Sequence, residues 1–596
     1  MIPDRADIPK VHRWNVEAMY STTEEWYENF EKYKSSLKLS RLLSYKGKLS
    51  DPVSLEKALF HYFDIDEELT KLYTYAHLKH DEDTGEEEHK KNWMQAISSV
   101  TQFQTDISWL MPEILNISDN SFNRLLTTDS LKLYHFYLQQ IHRMKEHTLS
   151  EREEKLLALS AKPLEAASRA FRAFNNADMK FEDILDGQGN SHPLSHGLFQ
   201  IYMKSKDRVL RKNAFQGLSG AYLAHENTLA ELLSGQVEAH IYAAKARNYA
   251  NALEAALYPY NIDPKIYRNL IDTVHKFLPI MHRYIALRKK CLRLDAIYPY
   301  DTSVSLVEDI DFHKEYKEAL QLVLESAAPL GENYQAIMQK GVTKEGWVDI
   351  YENRRKRSGA YSSGCYGSMP YILLNYHGSI RDVFTLAHEL GHSMHTYLSH
   401  KHQPYLYSAY PIFVAEVAST FNEQLLLTTF LNNAQDKKMR GYLIDYAIDT
   451  IRGTLFRQTL FAEFELKLHE WVEAGVSLTP QFLKEEYGKL YSLYYGPDFI
   501  IDDTLCIEWA KIPHFYYNFY VYQYATGISA ALALAEEVQK GEENRDKYLQ
   551  FLSSGGSNYP LELLRIAGVD MATKKPIESA LTHFENLVNE LETLLE

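Results

Sequence analysis

The 596-residue sequence has only three cysteines, Cys291, Cys365 and Cys506, which lie far apart and form no C-x-x-C pair. This spacing supports neither a disulfide framework nor a metal site built from thiolates. The chain also lacks the apolar run of about 18 residues that a membrane-spanning helix requires. Its first residues do not show the charged and then apolar pattern of a signal peptide. These absences predict a protein of the reducing cytoplasm.

Positive charge is also in deficit, because 64 basic residues face 80 acidic ones and the net charge is −16. A protein that binds nucleic acid normally has a basic surplus or a concentrated basic stripe. An anionic membrane surface would attract a basic surface in the same way. The only tight basic run, at residues 354–357, is short. We therefore expect neither nucleic acid nor a membrane as a partner, and the sequence leaves the oligomeric state open.

Glycine and proline are sparse, at 26 and 19 residues, and most of the chain has a helical pattern. Segments 163–174, 229–246 and 266–292 carry apolar residues at three- and four-residue spacing, which predicts a mainly α protein. A chain of this length exceeds the size of a single core and should form two lobes. Turn-rich passages at 81–88 and 185–192 are candidate boundaries. We place the division near residue 195, between an N-terminal helical lobe (1–195) and a catalytic domain (196–596).

One region departs from the helical pattern. Residues 341–378 contain six glycines and two short apolar runs, at 347–350 and 371–376. Such runs between glycine-rich turns predict a small β-sheet. An exposed edge strand of that sheet could hold an extended peptide by main-chain hydrogen bonds. The alternative is a purely structural hairpin packed on the helices.

A candidate metal site follows directly. His388 and His392 are four residues apart, so on a helix they project from the same face. Ser379 and Asp382 form a capping-box pattern that predicts the start of this helix. Imidazole nitrogens suit zinc, and Glu389 is placed to act as general base towards a metal-activated water. The alternative is a pair of histidines beside a solvated glutamate.

A third ligand is required, and the predicted helix 412–423 offers one. Glu416 lies among small and apolar residues, where an unpaired carboxylate would be costly to bury, so we expect it to bind metal. Glu423, two turns further on, is either an acceptor for a ligand histidine or an ordinary surface residue. His395 shares a side of its helix with His392, and we interpret it as a supporting or packing residue rather than a ligand.

The segment 512–524 is the densest cluster of tyrosine and histidine side chains. If it is helical, His514 and Tyr517 share a face and could donate hydrogen bonds to the negative charge that develops during attack on a carbonyl. The alternative is an aromatic helix packed in the core.

These motifs together resemble the thimet oligopeptidase family, and within it the bacterial oligoendopeptidase F branch. The matching segments are TLAHELGHSMH (385–395), KRSGAYS (356–362), FVAEVASTFNE (413–423) and IPHFYY (512–517). The resemblance implies His388, His392 and Glu416 as zinc ligands, Glu389 as base, and His514 and Tyr517 as donors to the tetrahedral intermediate. It further implies a two-lobed helical metallopeptidase with a deep central channel and a small sheet near the zinc helix.

The function expected from the sequence is a cytoplasmic zinc endopeptidase with one Zn²⁺ per chain, which hydrolyses internal bonds of short unstructured peptides. Two alternatives stay open. A dipeptidyl carboxypeptidase would use the same metal chemistry but would anchor a free C-terminus. A catalytically silent peptide-binding protein would keep the histidines for structural reasons alone.

Overall fold

The structure, a computed structural model, describes residues 2–307, 310 and 312–596. Helices dominate it from end to end. In the first half of the chain they are α1 (Thr23–Ser35), α2 (Lys38–Leu43), α3 (Pro52–Glu82), α4 (Glu87–Asp106), α5 (Leu110–Leu115), α6 (Asp119–Leu126), α7 (His135–Arg143), α8 (Glu151–Leu164), α9 (Ala166–Ala173), α10 (His196–Tyr202), α11 (Arg208–Leu223), α12 (Glu226–Ala246), α13 (Ala252–Leu257) and α14 (Pro264–Cys291).

The second half continues in the same way. Its helices are α15 (Tyr316–Ser326), α16 (Glu332–Lys340), α17 (Ile380–His402), α18 (Tyr405–Ser408), α19 (Ile412–Asn433), α20 (Lys437–Ile451), α21 (Arg457–Glu473), α22 (Pro480–Tyr495), α23 (Asp503–Cys506), α24 (Tyr522–Val538), α25 (Glu542–Leu552), α26 (Pro560–Ile566) and α27 (Lys575–Leu595). The predicted mainly α class is confirmed. Within the described residues, no helix is both long and apolar enough to cross a bilayer.

The long helices begin where the sequence provides a cap. Asp51 caps α3 by accepting a hydrogen bond from the backbone N–H of Ser54, and α3 then starts with a proline. Asp263 caps α14 in the same manner, again before a proline. A capping side chain satisfies an otherwise unpaired N–H group, and proline has no N–H to satisfy in the first turn. Local sequence therefore sets these helix starts.

The chain forms two compact units that interleave along the sequence. The first unit comprises Met1–Glu146, Phe312–Thr429 and Leu534–Val569, and the second comprises His147–Asp311, Phe430–Ala533 and Asp570–Glu596. The turn-rich passage 81–88 joins α3 to α4 inside the first unit. Passage 185–192 is a hairpin of β1 (Ile184–Leu185) and β2 (Ser191–His192) inside the second unit. The division near residue 195 into an N-terminal lobe and a catalytic domain stays a prediction.

Each unit has its own apolar core. In the first unit, Trp14, Trp26 and Tyr371 are buried together, and Trp26 stacks on Phe30 at 5.0 Å. In the second unit, Phe584 of α27 contacts the rings of both Tyr284 and Phe456. A fully buried side chain of this size stabilises a fold by about 1.5–3 kcal/mol. These aromatic contacts therefore hold α14 and α27 together.

The predicted small sheet lies in the first unit, directly before α17. It contains β3 (Val348–Asp349), β4 (Tyr361–Ser363) and β5 (Tyr371–Leu373) in the order β3-β5-β4. β3 runs parallel to β5, and β4 runs antiparallel to it, with Tyr361 opposite Leu373. The two apolar runs identified in the sequence thus become β3 and β5. β4 is an edge strand whose three residues are only half-buried.

The basic run at residues 354–357 forms ion pairs within the first unit. The Lys356 ammonium lies 2.6 Å from the buried Asp349 of β3, which also pairs with Arg5 at 2.5 Å. Burial alone raises the pKa of Asp349, but the two cations outweigh it and hold the pKa below its usual value. Arg355 pairs with Asp83 at 2.7 Å. The run therefore links β3, which pairs with Lys356, to Asp83 at the end of α3, which pairs with Arg355.

Candidate metal centre

The helix that carries the metal motif begins as the sequence predicts. Ser379 Oγ accepts a hydrogen bond from the backbone N–H of Asp382 at 3.2 Å, and the Asp382 carboxylate accepts one from the Ser379 N–H at 2.9 Å. This reciprocal capping box starts α17 and sets the register of the residues that follow. His388 and His392 consequently lie one turn apart, with ring centroids 4.8 Å from each other.

A close helix crossing brings the third side chain to these histidines. A Cβ atom at Gly391 would lie only 2.6 Å from the carbonyl oxygen of Ala418 and 2.7 Å from the Cα atom of Ser419. Only glycine therefore allows α17 and α19 to approach this closely. The crossing places Glu416, at the start of α19, beside both histidines.

The three side chains form a group with the spacing of a metal site. Oε2 of Glu416 lies 3.3 Å from Nε2 of His388 and 3.5 Å from Nε2 of His392. Ligand atoms at zinc distances of about 2.0–2.1 Å in a tetrahedral site are roughly 3.3–3.4 Å apart. Among the residues that the structure describes, this is the one cluster of three or more potential ligands whose atoms all lie within 4.8 Å of one another. The donor set fits one small divalent ion.

Glu423 contacts the other nitrogen of the first histidine. Its Oε1 lies 2.5 Å from Nδ1 of His388, which favours the acceptor alternative for Glu423 over that of an ordinary surface residue. Burial alone lowers the pKa of His388, but its hydrogen bonds to Glu416 and Glu423 outweigh burial and raise the pKa to about 10. Burial raises the pKa of Glu416, yet the hydrogen bonds from His388 and His392 bring it well below its ordinary value.

Glu389 and His395 have different surroundings. Glu389 is 6% exposed, burial raises its pKa, and its Oε2 has no hydrogen-bond partner among the described residues. A buried carboxylate oxygen without a protein partner suits a water molecule or a substrate group. His395 is fully buried, stacks on Tyr410 at 3.6 Å, and lies outside the ligand group. This agrees with its interpretation as a packing residue.

The small sheet supports the metal helix. Ser362 Oγ of β4 lies 2.8 Å from Ser393 Oγ, and Ser393 directly follows His392. Ser393 is completely buried. Hydrogen bonds between two buried or half-buried hydroxyls fix the relative position of the elements that carry them. The edge strand and the histidine helix are thus held as one assembly within the first unit.

His514 and Tyr517 belong to the second unit, where His514 lies on a short 3-10 helix at Pro513–Tyr516 and Tyr517 is the residue that ends it. Their ring centroids are 5.8 Å apart at 80°. Tyr517 is 46% exposed, whereas Tyr516 beside it is buried and stacks on Phe171 at 4.3 Å. Burial lowers the pKa of His514. The alternative stated from the sequence, an aromatic helix packed in the core, is therefore wrong for Tyr517.

The turn after Tyr517 depends on a buried carboxyl that sequence reasoning missed. Asn518 and Phe519 both have positive φ, at 49° and 60°, in the left-handed region that non-glycine residues rarely adopt. The Phe519 N–H donates to Oε1 of Glu465 at 2.7 Å. Burial raises the pKa of Glu465 to about 8. Its apolar neighbours in α21 could have identified it, by the reasoning that identified Glu416.

Comparisons with known proteins identify the family of the chain. The sequence model of Peptidase family M3 matches residues 201–583, and that of Oligopeptidase F matches residues 113–181. The chain is 44% identical to oligopeptidase PepF of Bacillus subtilis (strain 168), over 100% of the chain and 89% of that relative. It is 38% identical to an oligoendopeptidase F homolog of Lactococcus lactis subsp. lactis (strain IL1403), over 100% of the chain and 99% of the relative.

The chain is also similar to a solved structure of an oligoendopeptidase F. The crystal structure of oligoendopeptidase-F from Enterococcus faecium matches with a TM-score of 0.74 and 35% identity, and the match covers 97% of this chain and 99% of that one. The resemblance stated from the sequence motifs is thereby confirmed, and so is the mainly helical fold. The chain belongs to peptidase family M3, in its oligoendopeptidase F group, and is a metallo-oligopeptidase.

Proposed function

We propose that the protein is a zinc-dependent endopeptidase that hydrolyses internal bonds of short, unstructured oligopeptides, with one Zn²⁺ held by His388, His392 and Glu416. The spacing of 3.3 Å and 3.5 Å from the Glu416 carboxylate to the two imidazoles carries this proposal. Two histidines and one glutamate are a known catalytic zinc set that leaves a fourth position open. Zinc in such a site acts as a Lewis acid and lowers the pKa of water.

The side chains of the protein then have distinct tasks. Glu423 orients His388 through Nδ1, so that Nε2 faces the carboxylate of Glu416. Glu389 is the general base, because its Oε2 has no hydrogen-bond partner in the part of the chain that the structure describes and can take a proton from the attacking water. The same carboxyl can then deliver that proton to the departing amine. We assign the edge strand β4, which pairs with β5 on one side, to the substrate main chain.

We further propose His514 and Tyr517 as donors that stabilise the negative charge on the attacked carbonyl oxygen. Tyr517 supports this role because it is 46% exposed, unlike the buried Tyr516 next to it. The short bond from Phe519 to Glu465 fixes the turn that follows Tyr517. A single donor of this kind contributes about 10²–10³-fold in turnover.

Endopeptidase and dipeptidyl carboxypeptidase activities are separated by a peptide without a free C-terminus. We expect an octapeptide that is acetylated at its N-terminus and amidated at its C-terminus to be cleaved internally, with both fragments seen by mass spectrometry. Cleavage of the free acid alone, with release of dipeptides, would instead establish the carboxypeptidase. A folded protein is the negative control, since the deep channel expected from the resemblance admits only unstructured peptides.

The third alternative, a silent peptide-binding protein, is disfavoured because the chain belongs to a peptidase family. A cytoplasmic location stays a prediction. All three cysteines are free, and two of them, Cys365 and Cys506, are buried. Nucleic acid and membranes are not proposed as partners.

A further inference from the structure

The second unit contains a cavity of about 430 Å³ that includes none of the proposed metal ligands. One wall is a ladder of aromatic rings. Tyr491 stacks on Tyr495 at 5.0 Å, and Tyr495 packs on Phe499 at 4.5 Å. Phe199 and Phe215 also line the cavity. Cavities of this size that combine apolar walls with convergent polar groups are typical of small-molecule sites.

Three cations line the same cavity. They are Arg452, Arg457 and Lys511, and Glu508 is the one acidic residue among the lining side chains that the structure describes. Arg452 is 6% exposed, and its guanidinium is paired with Asp449 at 2.5 Å. This pair is neutral as a whole. The charge balance of the cavity therefore depends on the other two cations and Glu508.

The Glu508 carboxylate forms ion pairs with both Arg457 and Lys511. Its Oε1 lies 2.7 Å from Arg457 and 3.0 Å from Lys511. Its Oε2 accepts hydrogen bonds from the hydroxyls of Tyr487, at 2.9 Å, and Tyr491. Both carboxylate oxygens are thus fully used. One negative charge between two cations gives this group of three residues a net charge of +1, and the side chains of Arg457 and Lys511 are 29% and 16% exposed, so an anion can reach them and pair with the surplus charge.

The position of Lys511 adds a second observation. Its ammonium lies 5.4 Å from the ring centroid of Phe199 and 5.8 Å from that of Phe215. The cation therefore stands where the charged part and the apolar part of the cavity meet. A ligand that satisfied both parts would carry one negative group attached to an apolar body.

We propose that this cavity binds a small organic acid with a single carboxylate and an apolar or aromatic body. The carboxylate pairs with Lys511 and Arg457, and the body packs on the ladder of Tyr491, Tyr495 and Phe499. Arginine favours planar carboxylates because its guanidinium can donate two parallel hydrogen bonds. One carboxylate matches the single uncompensated charge. This site is independent of the proposed metal chemistry.

The test uses N-acetyl-L-phenylalanine as the probe and isothermal titration calorimetry on the full-length protein. N-acetyl-L-phenylalaninamide is the matched control, because it has the same body without the charge. We expect the acid to bind with one site per chain and the amide to bind at least about tenfold more weakly, as a charged hydrogen bond implies. Equal binding of the two, or no binding of the acid, would overturn the proposal.

Two variants locate the site. Lys511→Met removes the surplus charge but leaves Glu508 paired with Arg457 and two tyrosines, so the fold should persist and affinity for the acid should fall at least about tenfold. Lys489→Met is the control, because its ammonium is exposed, pairs with Glu486 and does not line the cavity. Ser303→Phe fills the cavity and should abolish binding, independently of charge. Full affinity in Lys511→Met and in Ser303→Phe would contradict the assignment.

A chelator separates this site from the proposed metal centre. Binding of N-acetyl-L-phenylalanine should be unchanged after treatment with EDTA, since no residue of the metal group lines the cavity. Loss of binding on chelation would show that the acid occupies the metal centre instead. Failure of the zinc proposal would leave this experiment unaffected.

Discussion

Nδ1 of His388 lies 2.5 Å from Oε1 of Glu423, and the two residues lie on different helices of the first unit, α17 and α19. A carboxylate at Nδ1 holds the proton on that nitrogen and leaves the lone pair of Nε2 for a metal ion. The same Nε2 lies 3.3 Å from Glu416. The ring is thus oriented by one carboxylate and shares a candidate metal site with the other.

Glu423→Gln should therefore weaken zinc binding by about 10–100-fold, because the side chain that orients His388 loses its charge. The measurement is competition for zinc with a chromophoric chelator. Glu325→Gln on α15 is the control, because its carboxylate is exposed and accepts a hydrogen bond from Gln321, away from the proposed metal ligands. An unchanged zinc affinity in Glu423→Gln would show that this contact does not orient the ligand.

Gly391→Ala should destabilise the protein by about 1–3 kcal/mol, because the new methyl group would meet the backbone of α19 at Ala418. It should also reduce zinc affinity, since the displaced helix carries Glu416. Thermal unfolding and the same zinc competition measure both effects. Gly220→Ala is the matched control, because a Cβ atom there has no neighbour within 4 Å and alanine favours a helix. A stable, zinc-competent Gly391→Ala would contradict the close crossing.

Glu465 predicts a pH dependence of stability. Its ordinary pKa is 4.5, and burial raises it to about 8 in the folded protein. As pH rises from 4.5 towards 8, the unfolded chain gives up this proton while the folded chain retains it, so stability falls by up to about 1.4 kcal/mol per pH unit. Glu465→Gln should lose this decline. The measurement is the urea midpoint of unfolding for the wild-type protein and for Glu465→Gln, each at about pH 5 and about pH 7.5. An equal fall of the midpoint with pH in both proteins would contradict the prediction.

Tyr517→Phe should lower kcat by about 10²–10³-fold with little change in KM, because a donor to the developing oxyanion acts mainly in the transition state. Steady-state cleavage of an internally quenched peptide measures both constants. Tyr242→Phe is the control, since its ring is also 46% exposed in the second unit. A change confined to KM would assign Tyr517 to substrate binding instead.

Much of the first unit's site could be predicted from sequence, because its features are local. The capping box at Ser379 fixes the register of His388 and His392. The apolar neighbours of Glu416 indicate a carboxylate that needs a partner, and the structure places it beside both histidines. In each case a short segment contains both the residue and the physical reason for its role.

Other features could not be predicted because they depend on distant segments. A short 3-10 helix at Pro513–Tyr516 and the positive φ angles of Asn518 and Phe519 stand in place of a continuous helix at 512–524, and the Phe519 N–H is held by Glu465 from another helix. The two compact units also interleave, since their contacts join parts of the chain that are far apart in sequence. Local periodicity carries no information on such contacts.

The central claim is that Glu389 is the base of a zinc peptidase, and Glu389→Gln tests it most directly. Zinc content by elemental analysis and cleavage of the doubly blocked octapeptide should be measured on the same sample. Because glutamine preserves size but cannot take a proton, we expect one zinc per chain and a loss of turnover of about 10²–10⁴-fold. Wild-type turnover in the zinc-loaded variant would contradict the account.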